Sequence, residues 1–190
     1  MMHHVGTLNI YITQDYMLNK NARGETRELV DRLRCKDEKR ILFVCLGNIC
    51  RSPAADGLMQ ALLKEKGATG WVVDSAGTGG YHIGDLPDNR MRVHARRRGY
   101  ELTHRARKVR EADFEDFDMI VAMDGSNYQN LRRMAPTIES EAKIVPMIDF
   151  VTLATRCDHI PDPYYEGSEG FELVLDLLEN GVANLYDSLT

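Results

Sequence analysis

The 190-residue sequence has no long hydrophobic run, and this excludes several classes of protein. The longest apolar run, from Ile41 to Leu46, has the length of a strand, far short of the ~20 residues that cross a membrane. Residues 1–25 lack a basic segment followed by an apolar one, so no secretory signal is evident. Four cysteines in a chain of this size do not form a disulfide scaffold. We therefore expect a cytoplasmic protein of a reducing compartment, with no membrane partner.

The chain also has fewer basic than acidic residues, with 24 Lys and Arg and 29 Asp and Glu. The net charge of −5 argues against a nucleic-acid partner. The distribution is uneven, however, since residues 90–110 contain nine Lys or Arg and a single acid, Glu101. This basic stretch is typical of a solvated helix face. The alternative is a positive field beside an anion-binding site, which would steer phosphorylated substrates.

From residue 40 onward, short apolar runs alternate with helical patterns. The predicted strands are residues 41–44, 71–75, 119–123 and 143–147, and the predicted helices start near Ser52 (as N-cap), Pro87, Ser126 and Phe171. This alternation predicts an α/β fold: a single doubly wound domain with a four-stranded parallel sheet and helices on both faces. We assign residues 40–190 to that domain and residues 1–39 to an N-terminal extension without assigned function. Within the extension, residues 24–40 fit a short exposed helix.

The loop after the first predicted strand contains the most informative motif. It reads CLGNICRSP, beginning at Cys45. Gly47 and Asn48 tolerate positive φ, so the loop can turn its N–H groups inward at a helix N-terminus, where anions bind. Arg51 offers a planar fork for two phosphate oxygens. A Cys45 thiolate would then face a bound phosphate monoester for in-line attack, with the Ser52 hydroxyl as its donor. The alternative is a buried structural cysteine.

The residues from Val44 to Pro53 resemble the signature of the low-molecular-weight protein tyrosine phosphatases. Three further segments match that family in order, namely DSAGT at 74–78, MDGSN at 123–127 and DPYY at 162–165. The similarity covers about residue 40 to the C-terminus and leaves residues 1–39 unmatched. The resemblance implies a metal-independent phosphatase without cofactor, which hydrolyses phosphotyrosine proteins through a phosphocysteine intermediate.

The resemblance also implies roles for individual residues. The catalytic residues would be Cys45 as nucleophile, Arg51 as phosphate ligand and Asp162 as general acid and then base. The remaining assignments are the phosphate-binding loop (Leu46, Gly47, Asn48, Ile49, Cys50 and Ser52), a supporting network (Ser75 and His104) and the substrate pocket (Leu46, Ile49, Tyr81, Tyr164 and Tyr165). Cys50 would be a redox partner that forms a reversible disulfide with Cys45 and so protects it from over-oxidation.

The expected partners are a phosphotyrosine protein and, in the loop, inorganic phosphate or another oxyanion. Because bacterial members of the family often reverse tyrosine kinases, a tyrosine kinase is one candidate substrate. Tyrosines of loops like that of Tyr164 and Tyr165 can themselves be phosphorylated in related enzymes.

Four other functions are compatible with parts of the sequence. An arsenate reductase of the same fold would need further cysteines, and none lies between Cys50 and Cys157. An arginine phosphatase tends to have Thr where this chain has Ile49. A zinc module would use Cys45, Cys50, Cys157 and His159. The fourth alternative is an inactive phosphotyrosine-binding module.

Overall fold

A four-stranded parallel sheet forms the centre of the computed structural model, which describes residues 18–190. The strands are β1 Lys39–Cys45, β2 Trp71–Gly77, β3 Met119–Ala122 and β4 Ile144–Pro146. Their order is β2-β1-β3-β4, and every neighbouring pair is parallel. The inner strands β1 and β3 are almost wholly buried, as their continuous apolar sequences predict. The predicted α/β fold with a four-stranded parallel sheet is confirmed.

Helices cover both faces of this sheet. They are α1 Gly24–Arg34, α2 Arg51–Lys66, α3 Asn89–Arg97, α4 Asp113–Asp116, α5 Gly125–Met134, α6 Ile138–Glu141 and α7 Ser168–Leu189, with 3-10 turns at Met147–Phe150 and Pro163–Tyr165. Apolar side chains of α1, α2, α3 and α7 form the larger core on one face. Those of α4 and α5 form the smaller core on the other. In such a sheet the ligand crevice lies beyond the carboxyl ends of the strands, where β1 delivers Cys45.

The start of α2 differs from the sequence prediction. Cys50 takes the N-cap position, and Ser52 is the second residue of the helix rather than its cap. The Ser52 hydroxyl points back to Cys45 and to the carbonyl of Ala76. The helix ends at Gly67 in the left-handed conformation (φ 60°), as a C-terminal glycine predicts.

The predicted helix of the N-terminal extension exists, but it is not simply exposed. Thr26, Leu29, Val30 and Leu33 of α1 are buried, and the three aliphatic side chains belong to the larger core. The spacing of Leu29 and Leu33 is that of one helix face, and the charged residues occupy the other. Residues 1–17 of the predicted extension lie outside the described residues. Within 18–190, no helix combines the length and the apolar character needed to cross a membrane.

The chain has one tryptophan, Trp71, at the first residue of β2. Its ring lies 5.4 Å from that of Tyr186 in α7, and the ammonium of Lys39 lies 5.5 Å from its centroid. Both contacts stand at the amino end of the strands, opposite to the end that carries Cys45. Trp71 and Gly77 are the first and last of the seven residues of β2, so the distance along the strand is about 20 Å.

Candidate active site

The thiol of Cys45 lies at the floor of the loop that joins β1 to α2. Its Sγ is 3.0 Å from the Ser52 hydroxyl and accepts a hydrogen bond from the Asn48 backbone N–H at 3.3 Å. Only 2% of Cys45 is exposed. The hydrogen-bond partners of the sulfur and the adjacent N-terminus of α2, with its positive dipole end, surround Cys45 Sγ with polar groups.

A left-handed residue and a close backbone crossing fix the shape of this loop. Asn48 has φ 56°, a conformation that Asn adopts more readily than most residues. Gly47, which we also expected to permit positive φ, is not left-handed; its importance is the close approach of the His82 ring, 3.3 Å from the place of a Cβ. Gly77 of β2 passes so near that a Cβ there would lie 2.7 Å from the Leu46 carbonyl oxygen. These contacts hold the loop against the end of β2.

The side chain of Asn48 ties the loop to its surroundings. Its amide nitrogen donates to Ser52 at 2.9 Å and to Ser75 at 3.0 Å. Its amide oxygen accepts from His104 Nε2 at 3.0 Å and from the backbone N–H of Arg107 at 2.9 Å. Asn48 is 1% exposed, so these bonds have little competition from water. The structure therefore brings the predicted supporting residues Ser75 and His104 into one network with the loop.

Arg51, the first residue of α2, is held by two carboxylates. Its Nη1 donates to Asp124 at 2.5 Å and to the Ile160 carbonyl at 3.2 Å, and its Nη2 donates to Asp162 at 2.7 Å. Burial opposes the charge of this guanidinium, but Cys45, Asp162 and Asp124 outweigh it and raise the pKa of Arg51. The arginine therefore stays charged and oriented beside the thiol.

Asp162 reaches the site from the loop that follows β4. Its Oδ1 accepts from the Tyr164 N–H at 3.2 Å, and Pro163 starts the short 3-10 turn behind it. The backbone N–H of Ile160 donates to the Met123 carbonyl at 2.9 Å, which fastens this loop to the end of β3. The side chain of Asp162 is 41% exposed, so one carboxylate edge faces the mouth of the site.

A cavity of about 340 Å3 opens above Cys45, Arg51 and Asp162. All predicted pocket residues line it, together with Gly47, Cys50 and His82. The predicted pocket residues are Leu46, Ile49, Tyr81, Tyr164 and Tyr165. The Tyr164 and Tyr165 rings meet edge to face at 5.0 Å, and much of the Tyr81 and Tyr165 side chains is exposed. Apolar and aromatic walls around a polar floor suit an aryl group attached to an anion.

Sequence reasoning missed several polar residues behind the loop. Asp56 of α2 is buried and accepts from Ser75 at 3.4 Å, and burial together with the charge of Asp74 raises its pKa to about 6. His104 Nδ1 lies 3.5 Å from Asp56 and 3.4 Å from Asp74, and burial lowers the pKa of this histidine. Arg107 pairs with Asp74 at 2.7 Å. The DSAGT match contained a signal for Asp74, whereas Asp56 has none in the sequence.

Asp124 is the other missed residue. It caps α5 by accepting from the Asn127 N–H at 2.7 Å, and its second oxygen binds Arg51. The sequence does carry a signal here, because an aspartate directly after a buried strand and before Gly-Ser is a typical N-cap. The end of β3 lies beside the end of β1, so such a cap reaches the same crevice.

The cysteines do not support a zinc module. Cys45 and Cys50 are buried free thiols, Cys157 is half-buried, and His159 pairs with Asp158 at 2.6 Å. In residues 18–190 the group of potential ligands that does come together is Asp56, Asp74 and His104, whose polar atoms are engaged in the network described above. The four proposed ligands form no such group in this part of the chain.

Five of the nine cations in the basic stretch at residues 90–110 form ion pairs with acids, among them Arg90 with Asp88 and Arg110 with Asp113. Arg96 pairs with Glu101, Arg98 with Glu172, Asp176 and Glu179, and Arg107 with Asp74 and Asp113. A carboxylate close to each cation lowers the field that reaches a distant substrate. This pairing favours the interpretation of a solvated and stabilising surface, and substrate steering stays a prediction.

A buried thiol inside a loop at a helix N-terminus, with a fixed guanidinium and a partly exposed carboxylate on a doubly wound sheet, defines the class of cysteine-based phosphatases. Within that class the chain belongs to the low molecular weight phosphotyrosine protein phosphatase family, whose family model matches residues 40–190.

Known proteins support this membership. A Synechocystis protein named as a low molecular weight protein-tyrosine-phosphatase is 47% identical over 151 residues, or 79% of this chain and 96% of its own. The crystal structure of a protein tyrosine phosphatase from Entamoeba histolytica is 43% identical, with a TM-score of 0.76 over 80% of this chain and 97% of that one. A Drosophila arginine phosphatase has a TM-score of 0.72 at 32% identity and covers 77% of this chain and 95% of its own.

Proposed function

We propose that this chain hydrolyses phosphotyrosine monoesters in proteins, with Cys45 as nucleophile, Arg51 as phosphate ligand and Asp162 as proton donor and acceptor. The observation that carries the proposal is that one cavity is lined by all three of these residues. The Asn48 N–H and the Ser52 hydroxyl, both bonded to the sulfur, stabilise its anionic form. No step requires a metal ion.

In the first step the Cys45 thiolate attacks phosphorus, the S–P bond forms and the bond to the tyrosine oxygen breaks. Asp162 donates its proton to the departing phenolate. The dianionic phosphoryl group competes with the Asp162 carboxylate for Arg51 Nη2, which frees that carboxylate to take up a proton from solvent and to turn, as the acid, toward the leaving oxygen. Binding of the phosphate thus releases Asp162 from Arg51 and places it beside the leaving oxygen.

In the second step a water molecule attacks the phosphocysteine, and Asp162 takes the proton that the water loses. The S–P bond breaks, and inorganic phosphate and the Cys45 thiolate are formed. The Ser52 hydroxyl, 3.0 Å from the sulfur, stabilises the thiolate as it leaves. Inorganic phosphate is therefore a product and a competitive ligand of the loop.

The apolar walls favour tyrosine over arginine as the phosphate carrier. Ile49 is 8% exposed and presents a branched aliphatic group to the cavity beside the rings of Tyr81 and Tyr164. Apolar and aromatic walls suit a planar phenyl ring, whereas a guanidinium would lose hydration against these walls and find a carboxylate partner only in Asp162. Turnover of matched phosphotyrosine and phosphoarginine peptides tests this choice, and faster cleavage of phosphoarginine would overturn it.

The central experiment compares Cys45→Ser with Cys35→Ser on para-nitrophenyl phosphate and on a phosphotyrosine peptide. Cys35 is an exposed thiol far from the chemistry, so its replacement controls for the loss of a cysteine. We expect Cys45→Ser to lose at least about 10^4-fold in turnover while it keeps its fold, and Cys35→Ser to match the wild type. Wild-type turnover by Cys45→Ser, or a pure wild-type protein that only binds phosphotyrosine, would refute the assignment.

Cys50 is proposed to protect Cys45 from over-oxidation. Peroxide would oxidise the Cys45 thiolate to the sulfenic acid, and the Cys50 thiol would displace water from it to give the disulfide. Burial, and then the charge of Asp88, raise the pKa of Cys50, so that it stays a thiol at neutral pH. Recovery of activity by dithiothreitol after peroxide treatment is expected for the wild type and much reduced recovery for Cys50→Ser.

We further propose that the protein works in the cytoplasm on a phosphorylated protein such as a tyrosine kinase. The four free thiols support a reducing compartment. Enrichment of phosphotyrosine proteins by a Cys45→Ser variant from the native cell, with a kinase among them, is the expected result. If the variant captured phosphotyrosine proteins but no tyrosine kinase, the proposal of a kinase substrate would be refuted.

A further inference from the structure

The segment from Leu18 to Arg34 lies outside the family match yet packs against the turn after β4, from which the chain runs on to Asp162. One of its contacts is Asp149, a buried residue of the 3-10 turn after β4. The Asp149 carboxylate accepts from the Thr26 hydroxyl at 2.6 Å and from the Arg23 N–H at 3.1 Å. The Asp149 carboxylate thus accepts a hydrogen bond from the backbone N–H of Arg23, the N-cap residue of α1.

Asn19 holds the backbone of the same turn. Its N–H donates to the Asp149 carbonyl at 2.7 Å, and its side-chain amide donates to the Val151 carbonyl at 2.8 Å. From the opposite side, Asn184 of α7 donates to the Phe150 carbonyl at 2.8 Å. Residues 149–151 are where the chain leaves the sheet toward Asp162. The start of that loop is therefore fixed on two sides, and one side is the N-terminal segment.

A second contact leads from the N-terminal segment to the other carboxylate that holds Arg51. The Arg23 guanidinium lies 4.5 Å from the ring centroid of Tyr128 in α5. The N-cap of α5 is Asp124, which binds Arg51 Nη1. The same segment thus contacts α5, whose N-cap is Asp124, and the 3-10 turn that precedes the loop of Asp162 in the chain.

We propose that Asn19, Thr26 and Asp149 are positioning residues that hold the start of the loop that carries Asp162. Residues 18–34 would thereby assist the proton transfer by Asp162. This inference rests on the proposed function. The reason is geometric: a general acid acts only within hydrogen-bond reach of the leaving oxygen, and small misplacements reduce the rate steeply. A loop fixed at its start samples fewer positions at Asp162. The competing explanation is that α1 only covers apolar surface, as its buried Leu29 and Leu33 do.

The test uses the hydroxyl of Thr26, because it can be removed with little change of shape. Thr26→Val deletes the donor to Asp149, and Thr26→Ser retains it. For each full-length variant, kcat/KM is measured on para-nitrophenyl phosphate, a good leaving group, and on phenyl phosphate, a poor one. This constant reports the steps up to formation of phosphocysteine, in which Asp162 protonates the leaving group. Far-ultraviolet circular dichroism checks that each variant is folded at the assay temperature.

We expect Thr26→Val to lose about 5- to 10-fold on phenyl phosphate and less than about twofold on para-nitrophenyl phosphate. The ratio of kcat/KM on phenyl phosphate to kcat/KM on para-nitrophenyl phosphate should keep its wild-type value in Thr26→Ser. In Asn19→Ala this ratio should fall, as in Thr26→Val. In an Asp162→Asn background, Thr26→Val should cause no further loss, because both changes act through one proton transfer. An active wild type whose ratio is unchanged in Thr26→Val, even with a lower melting temperature, would overturn the positioning role. A wild type without phosphatase activity would instead refute the proposed function.

Discussion

Replacement of Asp56 by asparagine tests the buried network behind the loop that joins β1 to α2. Asp56 Oδ2 accepts from Ser75, and His104 stands 3.5 Å away. Burial and the charge of Asp74 raise the pKa of Asp56 from 3.8 to about 6, although hydrogen bonds from Gln60 and Ser75 and the charge of Arg107 act in the opposite direction. Asparagine has nearly the same shape and cannot ionise.

The direction in which the free energy of unfolding changes with pH follows from the linkage between proton binding and folding. Because the folded pKa lies above the unfolded one, ionisation of Asp56 costs stability in the folded state. This cost is absent below about pH 3.8, grows as the pH rises toward 6 and is constant above that value. The difference between 3.8 and about 6 corresponds to about 3 kcal/mol at 25 °C, of which about 2 kcal/mol develops between pH 4 and pH 7.

Urea unfolding of the wild type and of Asp56→Asn at several pH values measures this quantity. The free energy of unfolding of the wild type should fall by about 2 kcal/mol relative to the variant between pH 4 and pH 7. Asp37→Asn, at an exposed position, serves as the matched control and should show no such trend. A difference between wild type and Asp56→Asn that is constant across this range would refute the reasoning.

Three further predictions concern the loop that joins β1 to α2 and the N-terminal helix α1. Arg51→Lys should lower kcat/KM on para-nitrophenyl phosphate about 10^3-fold, because an ammonium cannot bind two acceptors in the planar geometry of a guanidinium; a loss below tenfold would contradict this. Asn48→Ala should weaken inhibition by inorganic phosphate about tenfold, since it loses the bonds to Ser52 and Ser75 and strains a left-handed backbone. Asn48→Gly, which relieves only the strain, should recover part of the loss, and full recovery would disprove the role of the bonds. Leu29→Ala should lower the free energy of unfolding by about 2–4 kcal/mol and Tm by about 5–15 °C in a thermal melt, whereas an unchanged Tm would mean that α1 does not pack as described.

The sheet and the loop that joins β1 to α2 could be predicted from sequence because their signals are local. Strands such as β1 and β3 are buried on both faces, so they read as continuous apolar runs. The loop after β1 needs a left-handed residue, an arginine and a helix start, and all of these lie within a few residues of Cys45. Pocket residues as distant as Tyr81 and Tyr165 followed from the family resemblance, not from any pattern of their own.

The remaining features depend on contacts between distant parts of the chain. Asp56 lies on a helix whose apolar stripe is evident, but nothing local says that β2 brings Ser75 against it. Ser52 has the residue type of an N-cap, yet the thiol and the Ala76 carbonyl compete for its hydroxyl and the helix starts two residues earlier, at Arg51. The burial of α1 was underestimated because its charged residues outnumber the three aliphatic ones that pack inward.

The position of Trp71 gives this protein a convenient optical probe. Indole emission responds to the polarity and quenching groups within a few ångströms, and the neighbours of this single indole are Tyr186 and Lys39. Its fluorescence should therefore follow separation of α7 from β2 during unfolding and remain insensitive to phosphate, vanadate or aryl phosphate in the loop about 20 Å away. One spectroscopic channel then reads stability alone while absorbance of the released phenol reads turnover. A single cuvette can thus distinguish a variant that is slow from one that is unfolding.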